Sequence, residues 1–488
     1  MDKELKVLSK YKPKNTYLSI RGYAIDKIGN EELIEKLRKI LTVTPKCNPD
    51  ICANPPSYEI YFESSVKFYI PRALGLQLYG EPIHNKLHKG LDCPRLVFNG
   101  NMRIEQMPSI NLFMDSVKNP NKRGGIISLG CAGGKTVISL YISTLLKKKT
   151  LVICHKEFLM DQWRERISQF VPTAKVGIIK AKKIDVEDKD IVIASLHSLA
   201  MKEYDSKTFE DIGLVIADEA HHLSAEVFVR ALPKVTSPVM LGLSATLNRK
   251  DGLRKVFEWF LGKPVIEVKK RDDTSMIIKM VKFWENTEEY GREQYNWNGK
   301  RNYAKMINQI CAYNKRTEMI INILDNVLKK EPDRKTLIMS GRINQLKEFE
   351  IELKLKGYKS IGYYIGGMTD INRKESEKKD IILATYDMCK EGMDIPVLNT
   401  LILASPIADV EQAIGRIQRQ KQEDRKYIPY TIDILDDFSI FTNQGNNRLK
   451  FYRKNKYKIE DESDTEEESG ENKIIEPEFI EDDDDKQI

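Results

Sequence analysis

No run of about eighteen apolar residues occurs in the chain, so no segment reads as a membrane-spanning helix. Cysteine is sparse and odd in number, seven scattered through 488 residues. That excludes a disulfide framework and points to a reducing compartment. The opening residues, MDKELKVLSKYKPK, lack the apolar stretch of a secretory signal. No self-similarity at 20–50 residues is visible, which removes solenoids and propellers. The expectation is an intracellular, soluble protein.

With 41% hydrophobic and 31% charged residues, the chain can bury the cores of two or three domains. The net charge of +7 hides an asymmetry. From Glu460 to Ile488 there are 15 acidic residues against only Lys473 and Lys486. The remainder is strongly basic, as a body that meets a polyanion such as nucleic acid would be. The acidic end is too poor in apolar residues to fold alone and reads as a disordered tail over 459–488. Ser463 and Thr465, each followed by an acid, are phosphorylation candidates within it.

Residues 1–100 form an N-terminal accessory region, with strand-forming residues at 60–62 and 66–70 among Pro55, Pro56, Pro71 and Pro82. From about 124 a rhythm sets in. GIISL (125–129), TLVICH (150–155), DIVIAS (190–195), GLVIADE (213–219) and VMLGLSAT (239–246) read as buried parallel strands. Stretches 136–148 and 157–170 read as helices between them. This is a doubly wound α/β domain over 101–270. Residues 271–330 read as an inter-domain insertion, polar and aromatic to Trp297, then helical. The strand–helix rhythm resumes over 331–458 as a second α/β domain.

A strand, a small-residue loop and a helix follow one another in GIISL-GCAGGKT (125–136), the layout that phosphate binding needs. Leu129 stands where the strict pattern has glycine, but Gly130, Ala132, Gly133 and Gly134 keep the loop small. Lys135 would reach the phosphates and the Thr136 hydroxyl would hold Mg²⁺. Asp218 and Glu219 end the buried strand GLVIADE, suited to holding Mg²⁺ and polarising a water. Ser244 and Thr246 end another strand. Gly392 allows close backbone approach, and Asp394 suits a ribose hydroxyl. Gln412, Arg416 and Arg419, spaced i, i+4 and i+7, share one helical face. That face fits either a solvated surface or a pair of arginine fingers. Two smaller groups stand apart. Cys47, Cys52, His84, His88 and Cys93 are zinc-ligand types at loose spacing. Tyr290, Tyr295, Trp297 and Tyr303 lie among Arg292, Lys300, Arg301 and Lys305, an interleaving suited to stacking bases or to a core.

Taken in order, these residues resemble the superfamily 2 helicases over about 102–436. LGCAGGKT (129–136), VICHKEFLMDQW (152–163), DEAH (218–221), SAT (244–246), TLIMSGR (336–342), ATYDMCKEGMDIP (384–396) and QAIGRIQR (412–419) match its motifs in sequence. LGLSATLNRKDG (241–252) and YIPRALGLQLYG (69–80) narrow the likeness to the XPB-like branch and the helicases of large cytoplasmic DNA viruses, of the poxvirus transcript-release type. One departure is Arg249-Lys250-Asp251, where that branch has Arg-Glu-Asp. The resemblance implies two RecA-like domains, ATP and Mg²⁺ as cofactors, hydrolysis at the domain interface, and 3′-to-5′ movement on DNA in transcription or repair. It assigns Leu129, Gly130, Cys131, Ala132, Gly133, Gly134, Lys135 and Thr136 to the phosphates, with Arg103 and Gln106 on the adenine and Gly392 and Asp394 on the nucleotide. Asp218, Glu219, Gln412, Arg416 and Arg419 become catalytic, and Ser244, Ala245 and Thr246 couple the two activities. His155, Lys156, Ser195, His197, Arg342 and Thr385 line the nucleic-acid path. A monomer is expected, with DNA the favoured partner and RNA the alternative. A transcription-machinery partner would use the N-terminal region or the tail. If the chain is viral, the host cytoplasm or virion is its place. A scaffold without catalysis is a further alternative, opposed by the complete motif set.

Overall fold

The computed structural model describes residues 3–46, 55–130, 133–218, 225–245, 252–268, 275–297, 299–391, 393, 395–420 and 422–460. It divides into two units, Met1–Asp272 with Glu391–Asp394, and Asp273–Lys390 with Ile395–Ile488. No helix among the described residues is long and apolar enough to cross a membrane.

The first unit is built on an eight-stranded sheet. Its order is Lys183–Asp185, Val176–Lys180, Ile191–Ser195, Thr150–Cys154, Leu214–Ala217, Val239–Ser244, Gly124–Leu129 and Pro264–Val268. All neighbours are parallel except the Lys183–Asp185 edge. Continuous β-branched runs suit this, because both faces of a parallel sheet are covered. Alternate side chains feed two cores. Ile127, Val152, Ile193, Ile216 and Leu243 enter one, with Trp163 and Ile138 from the covering helices. Ile126, Leu151, Val192 and Val215 enter the other.

That second core continues into the N-terminal region, which holds its own five-stranded sheet. The order there is Phe62–Glu63, Lys67–Ile70, Gly22–Asp26, Thr16–Ser19 and His84–Asn85. The Arg72–Tyr79 helix joins the two sheets by packing on Arg254–Leu261. Gly75 lets the helix lie close on the N-terminal sheet, since a Cβ there would lie 2.2 Å from the Tyr23 ring. Arg72, buried at the head of that helix, donates to the Arg123 carbonyl at 2.8 Å and the Pro238 carbonyl at 2.5 Å. Those carbonyls precede the strands Gly124–Leu129 and Val239–Ser244, so one side chain ties the N-terminal sheet to both.

The second unit carries a parallel seven-stranded sheet. Its order is Ile361–Tyr364, Ile381–Thr385, Thr336–Ser340, Thr400–Leu403, Tyr430–Asp436, Ile277–Phe283 and Lys458–Glu460. Two elements depart from the sequence reading. Ile277–Phe283 lies in the stretch read as polar and aromatic, with no strand expected, yet pairs along its whole length with Tyr430–Asp436. Its Lys279 and Lys282 mask the β pattern, while Ile278, Met280, Val281 and Phe283 are buried. Lys458–Glu460 pairs with Ile277–Lys279, so ordered structure runs past the expected start of the tail at 459. The helices expected over 303–330 are Tyr303–Cys311 and Asn314–Lys330.

Several expected features lie outside the described residues: Cys47, Cys52, Cys131, Ala132, Glu219, Thr246, Arg249-Lys250-Asp251, Gly392, Asp394 and the tail from 461 onward. Among the described residues no cluster of three metal-ligating side chains occurs. Of the zinc candidates, Cys93 is buried, with burial pushing its thiol up to about 12, and His84 stacks on Tyr17.

Candidate functional site

Strand polarity decides where the chemistry gathers. The strands Gly124–Leu129, Val239–Ser244, Leu214–Ala217, Thr150–Cys154 and Ile191–Ser195 are parallel neighbours, so their carboxyl ends form one edge. Ligands bind at that edge in open α/β sheets. The glycine loop, Ser244-Ala245, Asp218, His155-Lys156 and Ser195 follow one another along it. With neighbouring strands about 4.8 Å apart, Asp218 lies two strands, about 10 Å, from the loop strand.

The loop is built around Gly134, whose φ of 75° is left-handed and caps the helix Lys135–Leu146. A side chain at that position is excluded twice, because a Cβ would also meet the Gln106 amide nitrogen at 2.2 Å and an Arg103 guanidinium nitrogen at 3.2 Å. Gln106 and Arg103 therefore lie directly against the loop. The Gln106 side-chain oxygen accepts from the Arg103 backbone N–H at 3.0 Å, which locks that amide. Gly133 is held by its neighbour: a Cβ there would stand 2.9 Å from that of Leu129. Leu129, the departure from the strict motif, is 7% exposed and packs into the core. Its carbonyl accepts from Lys135 Nζ at 3.1 Å, which holds the ammonium at the loop. Thr136 follows in the first helical turn.

Asp218 is buried at the end of its strand, its N–H donating to the Ile153 carbonyl at 3.0 Å. Its carboxylate accepts from the indole N–H of Trp163 at 2.7 Å. Trp163 is 1% exposed and 55 residues distant in sequence. Burial, and then the Asp218 carboxylate, push the Cys154 thiol well above its ordinary value, which keeps it neutral beside the acid. Ser244 pairs in register with Ser128, one strand from each group. The donor set fits a small hard cation, since Asp218 and Thr136 offer oxygen ligands of the kind Mg²⁺ prefers.

Ser195 pairs with Cys154, so Ser195 and the His155-Lys156 turn sit side by side. Ser195 also caps its helix by accepting from the Ser198 N–H, and His197 is exposed one residue into the same turn.

In the second unit, Thr385 pairs with Ser340, two residues before Arg342. The Arg342 side chain is turned toward the Tyr303–Cys311 helix, donating to Asn308 and, at 3.3 Å, to the Ala304 carbonyl. The Glu411–Ile417 helix carries Gln412 and a buried Arg416. Arg419 does not extend its face: the helix stops two residues earlier. Arg425 holds the turn that follows, donating to the Gln420 carbonyl at 2.8 and 3.0 Å and to the Gln418 carbonyl at 3.4 Å. Arg419 thus leaves the helix on a turn of its own.

Two buried ion pairs that sequence reasoning missed hold the segment leading into this helix. Arg316 binds both oxygens of Asp436, at 2.6 and 2.8 Å, and donates to the Ala404 carbonyl at 2.6 Å. Arg448 binds Asp433 at 2.9 Å and donates to the Ile407 carbonyl at 2.6 Å. Tyr290 and Tyr452 complete the two carboxylates at 2.8 and 2.7 Å. Burial would lower the Arg316 pKa, but Asp436 holds it above the ordinary value. A signal did exist: Arg316 falls on the apolar stripe of its helix with Ile320 and Leu324. Trp163 had only its place on the apolar face of 157–170.

With this geometry in hand, comparison with known proteins is specific. Residues 99–249 match the family "Type III restriction enzyme, res subunit", and 317–421 match "Helicase conserved C-terminal domain". The "Putative ATP-dependent RNA helicase L396" of Acanthamoeba polyphaga mimivirus is 32% identical over 90% of this chain and 85% of its own length. "Probable helicase D10" of Escherichia phage T5 is 26% identical over 67% of this chain and 70% of its own. S. cerevisiae Dbp5, solved bound to RNA and ADP BeF3, superposes with a TM-score of 0.50 at 13% identity, covering 78% of this chain and 97% of that one, which supports the two-domain RecA-like fold. The chain belongs to the ATP-dependent superfamily 2 helicases and resembles the helicases of large DNA viruses.

Proposed function

We propose that this helicase acts on DNA, moving 3′ to 5′ in transcript release or repair, with Lys135, Thr136 and Asp218 gripping the phosphates and Mg²⁺. The observation that supports the coupled nucleotide and strand sites is the shared sheet edge, where the glycine loop, Asp218 and the His155-Lys156 and Ser195 turns stand in line. DNA and the polarity rest on the likeness to the helicases of large DNA viruses. The line of strand ends allows a change at the phosphates to be felt at a nucleic-acid strand three to four strands away. Mg²⁺ would neutralise phosphate charge when bound. Gln106 and Arg103 are assigned to the adenine, Glu219 to the attacking water, and Arg416 and Arg419 to γ-phosphate charge during hydrolysis. His155, Lys156, Ser195, His197, Arg342 and Thr385 are assigned to backbone phosphates, which carry little sequence information. Weak sequence preference and a steep fall of affinity with salt follow.

ATP turnover measured with single-stranded DNA, duplex DNA, forked DNA and RNA tests the substrate. Stimulation by DNA well above that by RNA is expected. The reverse order would establish the second reading, an RNA helicase, which the printed name of the mimivirus relative favours.

Trp163 is proposed as a positioning residue for Asp218. In Trp163→Phe the ring stays but the N–H is lost. A hydrogen bond to a charged group contributes about 1.5–3 kcal/mol. Turnover should fall about tenfold or more, and the Mg²⁺ concentration giving half-maximal rate should rise. A Mg²⁺ titration identical to the parent's would exclude the role.

A further inference from the structure

The N-terminal sheet has one face on the core and one face open, and the open face has an unusual content. Leu18, Tyr23, Ile25, Phe68 and Ile70 point inward and are buried. The alternate positions point outward, and register puts five of them in a single row. Phe62 pairs with Tyr69, Tyr69 with Ala24, Ala24 with Tyr17, and Tyr17 with His84. Four rings thus cross five strands, with the smallest side chain at the middle, over about 19 Å. Phe62 and Tyr69 have ring centroids 5.7 Å apart, and Tyr17 and His84 stack at 4.9 Å. Phe62 is 51% exposed, and His84 is exposed as well.

Cations accompany the rings. Arg21 lies 5.5 Å from the Phe62 centroid, Lys67 3.2 Å and Lys86 5.7 Å from that of Tyr17. Asp26, opposite Lys67, is the acid of this face. Apart from Ala24 the paired outward positions carry no aliphatic side chain, which a protein-binding face would use. At its Phe62 end the row borders a largely apolar cleft, lined by Arg21, Phe62 and Tyr69 together with Ile60, Met240 and Phe260. Arg72 is 1% exposed, and its Nε and Nη1 have no hydrogen-bond partner among the described residues. Arg72 faces the core, where it donates to the Arg123 and Pro238 carbonyls and burial lowers its pKa to about 9, so it adds no charge to the open face.

We infer that this face is a second nucleic-acid site, a stacking platform for a single strand, separate from the strand ends of the large sheet. Phe62, Tyr69 and His84 offer π-faces to bases of any identity, Lys67 leaves the Tyr17 ring it caps when a base stacks there, and Arg21, Lys67 and Lys86 meet the phosphates. The inference rests on the helicase reading only for the supply of a single strand.

The test uses the full chain without nucleotide and fluorescent single strands of about twelve nucleotides, oligo-dT and oligo-U, beside a duplex of equal length. The pair Tyr17→Ala with Phe62→Ala should weaken single-strand binding about tenfold or more and duplex binding far less. The pair Tyr17→Phe with Phe62→Tyr should restore it. The two single strands distinguish a DNA from an RNA preference of the same face. Single-strand affinity equal to the parent's would overturn the platform and leave the helicase reading standing. Equal losses on strand and duplex, or a failure of the conservative pair, would also overturn stacking. A parent that binds none of the three would overturn both.

Discussion

Replacing Lys135 by alanine should cut ATP turnover by at least about a hundredfold while nucleic-acid binding remains measurable. The side chain stands at the first position of its helix, directly after the left-handed Gly134, with Nζ held at the loop by the Leu129 carbonyl at 3.1 Å. Alanine is a good helix former at that position, so the fold should tolerate the change. On the proposed reading, what is lost is a fixed positive charge where phosphate charge develops. Removing one such preorganised group typically costs about 10²–10³ in rate. Steady-state turnover and strand binding, measured on the same preparation, separate a catalytic loss from a folding one. Turnover equal to the parent's would remove the phosphate loop from the mechanism.

A second large effect is expected on stability. Arg316→Met leaves the Asp436 carboxylate buried without its ion-pair partner and the Ala404 carbonyl without its donor. Breaking one side of a buried pair costs about 3–5 kcal/mol. Urea unfolding of the full chain should show the second unit melting at clearly lower denaturant. Arg316→Met combined with Asp436→Leu should recover much of the loss, since well-packed apolar replacements of buried pairs are often near neutral. A loss below about 1 kcal/mol in the single variant would mean that the pair does not hold this region. Arg448 with Asp433 is the parallel case. It grips the Ile407 carbonyl three residues after Arg316 grips Ala404, so the two arginines brace the segment that enters the Glu411–Ile417 helix.

How much of this was readable beforehand depends on the range of the interaction. The buried strands of both large sheets fall where continuous β-branched runs lie, and the Glu157–Phe170 helix has the bounds expected of it. Those signals are local: a few consecutive residues fix burial on both faces, or a period of 3.6. Ile277–Phe283 escaped because two lysines interrupt its apolar run, and only pairing with Tyr430–Asp436 makes it a strand. The shared helical face of Gln412, Arg416 and Arg419 failed at its last member for a similar reason. Periodicity could not foresee that Arg425 pins the carbonyls of the turn after Ile417.

The sequence alone determined the family, the order of the motifs and the candidates for the nucleotide site, because motif spacing and loop composition are written along the chain. Tertiary structure decided which of those residues become neighbours. Sheet order inserts the Val239–Ser244 strand between the glycine loop and Asp218, brings Trp163 onto that acid, and lays four N-terminal rings in one row. Register and strand order arise from contacts between segments tens to hundreds of residues apart, and no local pattern encodes them.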